Sequence, residues 1–185
     1  MPGHIYIITG PSGVGKTTIA ERLLERVPTL KKVVTCTTRP MRPGEVDGVH
    51  YHFLDTETFQ RQVLENKLFE SAFHYGNHYG SLTADVENLM TDGFDVLFVI
   101  DVVGTATIKR EHPEAITIFI DATSTEELVA RMESRDKGKG VGRDERIAAI
   151  ERERAFASSC DYRVINAHGA LEETVQTIET LLNQR

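Results

Sequence analysis

Gly10-Pro11-Ser12-Gly13-Val14-Gly15-Lys16-Thr17-Thr18 fits the phosphate-loop pattern G-x-x-x-x-G-K-[ST], with Gly10, Gly15, Lys16 and Thr17 in its fixed places. The chemistry requires those residue types. Glycines let the backbone turn tightly, so that successive N–H groups face a polyphosphate. A helix opening at Lys16 adds the positive end of its dipole. In this pattern residues 10–18 bind the phosphates of a nucleoside triphosphate such as ATP, Lys16 reaches the β- and γ-phosphates, and the Thr17 hydroxyl sits on Mg²⁺. The flanks supply the required context: residues 4–9 (HIYIIT) read as a short buried strand and residues 17–26 (TTIAERLLER) as a helix. The loop is silent on which nucleotide binds and on what becomes of its terminal phosphate.

Working outward, strand and helix patterns alternate. Strand-like runs fall at 4–9, 32–35, 96–100, 116–120 and 162–165, and helical patterns at 17–26, 103–111, 124–134, 143–158 and 171–183. The runs VLFVI at 96–100 and ITIFI at 116–120 are continuously apolar, as strands covered on both faces must be. Leu171, Val175, Ile178, Leu181 and Leu182 recur at helical spacing, so the last helix packs on the sheet. This alternation predicts an α/β fold, a parallel five-stranded sheet between helix layers. Between 35 and 95 the pattern breaks into short aromatic-rich strands (51–54, 68–75, 78–82) and two helices (56–65, 82–91), which reads as a mixed α+β subdomain inserted into the core. The Gly/Lys-rich stretch 136–142 (DKGKGVG) has the composition of a mobile lid.

Composition narrows the class. The 185 residues, 40% of them hydrophobic, suffice for one domain with a sizeable core. Lys and Arg number 21 against 28 Asp and Glu, for a net charge of -7, which argues against general nucleic-acid binding and makes local arginine clusters informative. Two cysteines, Cys36 and Cys160, give no disulfide framework, and the chain carries no leader pattern and no apolar run of membrane-spanning length. A cytoplasmic protein, monomer or homodimer, without nucleic-acid or membrane partners is the expectation. His50, His52, His74 and His78 lack a compact zinc-ligand spacing. Cys36 reads as a small buried residue rather than a nucleophile.

The densest signal after the phosphate loop is TCTTRPMRPGE at 35–45. Arg39 and Arg42 each precede a proline, which holds them in extended backbone. Two guanidiniums on a stiff loop suit an anionic phosphate, which planar forks grip at two points.

With these pieces in hand, residues 10–18 (GPSGVGKTT), 37–53 (TTRPMRPGEVDGVHYHF) and 76–81 (GNHYGS) resemble guanylate kinase, in order and spacing over nearly the whole chain. The resemblance implies a P-loop nucleoside monophosphate kinase in three parts: a core (1–34, 96–133 and 143–185), a GMP-binding insertion (35–95) and a lid (134–142) that closes over ATP. It implies phosphoryl transfer from ATP to GMP with Mg²⁺. Arg39, Arg42, Tyr51 and Tyr79 match positions that hold the GMP phosphate. Thr35 and Glu70 match positions that read the guanine edge, with Ser81 in the same site. A carboxylate at Glu70 can accept from both N1–H and the 2-amino group of guanine, a donor pair adenine lacks. Glu45 is expected to brace the arginine loop.

Arginines matching Arg131, Arg135 and Arg146 converge on the transferring phosphoryl group in the family, as a reaction that spreads charge over equatorial oxygens requires. Arg143 reads as solvated, and Glu133, Asp144, Glu145, Glu151 and Glu153 read as surface partners on the same helices. Asn166 matches a position near the adenine ring, with turn formation an equal explanation. Asp101, at a strand end, is the carboxylate expected at GMP or, through water, at the metal. Here the chain departs from the family, which usually carries a second acid where Val99 stands and a glutamine where Val103 stands.

Three rivals remain. A GTPase switch is suggested by Asp101-Val102-Val103-Gly104 as D-x-x-G, but the chain lacks an N-K-x-D motif. The others are a non-catalytic scaffold on the same fold and a kinase acting on another phosphorylated metabolite, such as a ribose bisphosphate. Intact Lys16 and Thr17 oppose the scaffold, while Glu70 and Thr35 oppose the ribose bisphosphate.

Overall fold

A computed structural model describes residues 3–74, 76–136 and 142–184. Its elements run β1 (Ile5–Thr9), α1 (Lys16–Arg26), β2 (Leu30–Lys32), β3 (Cys36–Thr37), β4 (His52–Phe53), α2 (Thr56–Leu64), β5 (Leu68–His74), β6 (Asn77–Leu82) and α3 (Thr83–Thr91). There follow β7 (Asp95–Val99), α4 (Val102–Glu111), β8 (Ile116–Asp121), α5 (Thr125–Asp136), α6 (Arg143–Ala155), a 3₁₀ turn (Phe156–Ser159), β9 (Tyr162–Ile165) and α7 (Leu171–Leu182).

Five parallel strands form the large sheet in the order β2-β7-β1-β8-β9. Successive side chains on a strand point to opposite faces, and on β1 both sets are buried. Tyr6 and Ile8 join Leu97, Ile118, Ile120 and residues of α1, α5 and α7 on one face. Ile5 and Ile7 join Val96, Phe98, Val86 and Ile108 on the other. That two-sided burial is the reason 96–100 and 116–120 read as unbroken apolar runs. A second sheet, β4-β3-β6-β5, is built from strands as short as two residues.

Three expectations shift. The strand expected at 32–35 is two: β2 ends at Lys32, Val33 makes one last bond to the Leu97 carbonyl, and Cys36 then pairs with Gly80 in the small sheet. The helix expected over 143–158 stops at Ala155 and tightens into the 3₁₀ turn, a common helix ending. Helix α5 continues to Asp136, past the expected 134. Most of the lid, with Lys137 and Lys139, lies outside the described residues. Among the described residues no helix is long and apolar enough to cross a membrane.

The polypeptide leaves β1, β2 and β7 at their C-terminal ends into the phosphate loop, Thr35 and Asp101 respectively. In open α/β sheets ligands bind at that edge, where strand order reverses.

Candidate nucleotide site

The phosphate loop crosses the end of β8. Gly10 has φ 133°, and a Cβ there would sit 2.1 Å from the Ile120 carbonyl oxygen, so only glycine passes. Helix α1 starts at Lys16 with Gly15, which has no side chain to cap it, as its N-cap. The Lys16 ammonium arches back over the loop and donates to the carbonyls of Gly10 (2.5 Å) and Pro11 (3.0 Å).

A cavity of about 640 Å³ runs from this loop to the small sheet. Gly10, Ser12, Gly13, Gly15, Lys16 and Thr17 line one end. Thr35, Arg39, Arg42, Tyr51, Glu70 and Tyr79 line the other, with Asp101, Arg131 and Arg146 between. Pro11, Val14, Thr18, Ser81 and Asn166, all from the expected set, do not line it. Pro11 and Val14 are buried in the loop, Thr18 is exposed, and Ser81 is buried behind Glu70. Asn166 lies beneath the loop: its amide donates to the Val14 carbonyl (2.8 Å) and its oxygen accepts from Thr174 (3.2 Å). These two contacts brace the loop.

At the small-sheet end the arginine loop is clamped. Arg39 donates to Glu45 (2.7 Å) and lies over the rings of Tyr51 (5.4 Å) and Phe53 (5.7 Å). The backbone N–H of Arg42 donates to the other Glu45 oxygen (2.7 Å). Burial works against the Glu45 charge, but the bonds from Arg39 and Arg42 overcome it and hold the carboxyl below its ordinary range. Glu45 is the brace the sequence suggested. Tyr51 and Tyr79 meet edge-on at 6.3 Å, and burial raises the Tyr51 hydroxyl pKa, keeping it a donor.

Glu70 is the opposite case. It is 4% exposed and accepts one bond, from Ser81 Oγ at 2.9 Å. Burial pushes its carboxyl up to about 7 against the pull of Ser81, and the nearby charge of Asp101 adds to the rise. A Cβ at Gly104 would stand 2.8 Å from Glu70 Oε2. The glycine of the D-x-x-G string is thus there to admit the glutamate against the first turn of α4. Asp101 caps that helix, its Oδ1 accepting from the N–H groups of Val103 and Gly104 (both 2.9 Å).

Arg131 on α5 donates to Glu127 (2.5 Å) and reaches the Val14 carbonyl (3.5 Å). Arg135 lies one turn further along α5. Arg146 on α6 is 3% exposed. Arg143 is paired with Glu133 at 3.5 Å on the surface, as expected.

Glu153 corrects the sequence reading: it is 5% exposed, not a surface partner, and lines the cavity. Burial raises its pKa, while Lys16 and the Ser12 N–H pull it down. The missed signal was its spacing of seven from Arg146, two turns along one helix face. Asp121, the last residue of β8, is fully buried and accepts from Arg154 (2.9 Å) and Arg163 (2.7 Å). Burial alone would raise its pKa, but those two bonds hold the carboxyl below its ordinary range. Arg154 also donates to Thr125 (2.6 Å), tying α6 to the start of α5, the two helices that carry Arg146 and Arg131.

His50 and His78 have ordinary structural contacts. His50 Nδ1 accepts from the Val46 N–H (2.9 Å), and His78 stacks on Phe59 at 5.2 Å. Among the described residues no three His, Cys, Asp or Glu side chains form a metal cluster. Burial pushes the Cys36 thiol up to about 12, which suits a packing residue and not a nucleophile.

A phosphate loop at one end of a cavity and an arginine–tyrosine–glutamate cluster at the other define an α/β P-loop protein built for two phosphorylated ligands. A sequence profile of the guanylate kinase family matches residues 3–185. A guanylate kinase from Thermus thermophilus is 41% identical over 182 residues, covering 98% of this chain and 81% of that protein. One from Chlorobium luteolum is 37% identical over 177 residues, covering 95% and 89%. The crystal structure of guanylate kinase from Anaplasma phagocytophilum superposes with a TM-score of 0.81 at 30% identity, covering 98% of this chain and 85% of that one. The chain belongs to the guanylate kinase family.

Proposed function

We propose that this cavity carries out the family reaction, ATP-dependent phosphorylation of GMP to GDP, with the phosphate loop as donor end and the small sheet as acceptor end. The observation that carries the assignment is Glu70: a buried carboxylate with a single donor among the described residues, in one cavity with the phosphate loop. Such a group leaves a site built to reject any ligand that cannot supply donors. Guanine presents two, N1–H and the 2-amino group. Arg39, Arg42, Tyr51 and Tyr79 hold the GMP phosphate, and Thr35 completes the base pocket. Ser81 acts behind Glu70, fixing the carboxylate's orientation.

Lys16 draws ATP's phosphates onto the loop, and Arg131, Arg135 and Arg146 neutralise the transferring group. The acceptor phosphate oxygen attacks in line, so no covalent intermediate or strong base is needed. Residues 35–95 form the acceptor subdomain and residues 134–142 a lid whose closure excludes water.

The residues fit a Mg²⁺ ion carried in by ATP. The Thr17 hydroxyl and Asp101 line the cavity together, and no ready-made cluster among the described residues competes with phosphate oxygens for the ion. When bound, Mg²⁺ would neutralise β- and γ-phosphate charge, with Thr17 as direct ligand and Asp101 acting through water. Because Asp101 Oδ1 is already a helix cap, its contribution to the ion is that of an orienting charge.

A coupled ADP-release assay with GMP, AMP, CMP and UMP tests the assignment. GMP alone should support rapid turnover; equal rates with all four, or none with GMP, would overturn it.

A further inference from the structure

Lys32 is the last residue of β2, an edge strand of the large sheet. It pairs with Leu97, and the face on which Leu97 lies is the one packed against α1. There its half-buried side chain forms cavity wall together with Thr17, Val99 and Asp101. Burial lowers its pKa, and Glu21, one turn after Thr17 on α1, is the charge that draws it back. Among the described residues no carboxylate lies within ion-pair distance of the ammonium.

This is an unusual place for a lysine. A desolvated ammonium without an ion-pair partner is costly, and core-facing strand positions are normally filled by apolar side chains. Val99, on the neighbouring strand β7 and also in the cavity wall, is apolar, and Asp101 spends one oxygen on its helix cap. Lys32 thus adds positive charge to the wall of a cavity whose other cations, Lys16, Arg39, Arg42, Arg131 and Arg146, all suit phosphate.

We propose that Lys32 is a substrate-contacting cation of this site, its ammonium binding a nucleotide phosphate oxygen between the phosphate loop and Asp101. It adds a mobile point charge where Val99 supplies none, and Lys suits that task because its single charged head needs no fixed fork geometry. The inference rests on the two-nucleotide reading of the cavity.

The test compares wild-type full-length chain with Lys32→Met, Lys32→Arg and Glu21→Gln. It measures melting temperature, calorimetric affinity for GMP and for MgADP, and steady-state kinetics with each substrate varied. Lys32→Met, nearly isosteric and uncharged, should lose about tenfold to a hundredfold in kcat/KM, the worth of one charge-assisted bond. It should melt no lower than wild type, because it removes a desolvated charge. Lys32→Arg should recover most of the loss, and Glu21→Gln should behave as wild type. Weakened GMP binding assigns the contact to the acceptor phosphate, weakened MgADP binding to the donor, and a fall in kcat alone to the transferring group.

The inference is overturned if Lys32→Met matches wild type in every readout. It is also overturned if Glu21→Gln reproduces the loss, or if Lys32→Met melts lower and Lys32→Arg rescues nothing. A wild type that binds both nucleotides but does not phosphorylate GMP would sink the functional reading instead, while the binding comparison still judges Lys32.

Discussion

At the phosphate-loop end of the cavity, one short unbroken stretch of chain offers backbone N–H groups and one lysine. At the small-sheet end, the lining is made of side chains brought from Thr35 before β3, the loop between β3 and β4, β5, β6 and the turn into α4. The first end needs little bracing beyond Asn166, because a peptide backbone already fixes its own donors. The second needs a brace for almost every group: Glu45 for Arg39 and Arg42, Ser81 for Glu70, Gly104 for the space Glu70 occupies. The two glutamates of that end show how differently side chains can be prepared. Glu45 is held ionised by arginine, whereas burial raises the Glu70 carboxyl to about 7. A site built from backbone supplies charge-binding geometry for any triphosphate; a site built from side chains can discriminate.

The sharpest way to break this contrast is Lys16→Ala. Turnover should fall by about 10²- to 10³-fold, the scale of removing one transition-state donor. GMP affinity measured by calorimetry should stay within about threefold, since Lys16 lies at the other end. Comparable losses in both would merge the two ends into one site.

Next comes Glu70→Gln, which should lower kcat/KM for GMP by about a hundredfold, two bonds to a charged acceptor being replaced by one poorly matched amide. Its pH dependence follows from a carboxyl pKa of about 7. The raised value means that the protonated form suits the empty fold. Glu70's contribution to stability is complete below the ordinary carboxylate range and is lost as pH rises through about 7. Guanine requires the ionised form, so wild-type GMP affinity should strengthen over that same rise, and the Gln variant should show no such slope. A flat wild-type profile would remove the buried-carboxylate argument.

The smallest effect is expected from Gly104→Ala. Alanine favours helix, so stability should hold or rise by about 0.5 kcal/mol, yet the new Cβ crowds Glu70. GMP affinity should fall about tenfold, the scale of mild overpacking, while ATP affinity stays unchanged. If both nucleotides weaken equally, Gly104 serves α4 as a whole and not the base pocket.

The sequence by itself determined what is local. Residues 10–18 state their loop, because the glycine conformations and the Lys-Thr pair are neighbours in the chain. The unbroken apolar runs state a sheet covered on both faces, and Pro40 and Pro43 state that Arg39 and Arg42 stand on an extended segment. Only the tertiary structure decided which acids are buried. Glu153 and Glu151 differ by two residues in one helix, and burial of the first depends on which face α6 turns to the phosphate loop. Asn166 faces inward and Lys32 faces the cavity for the same kind of reason. Asp121 shows the limit most plainly: its value lies in two arginines 33 and 42 residues away, which no local pattern brings together. Backbone conformation is set by neighbours in sequence, but burial and charge pairing are set by neighbours in space.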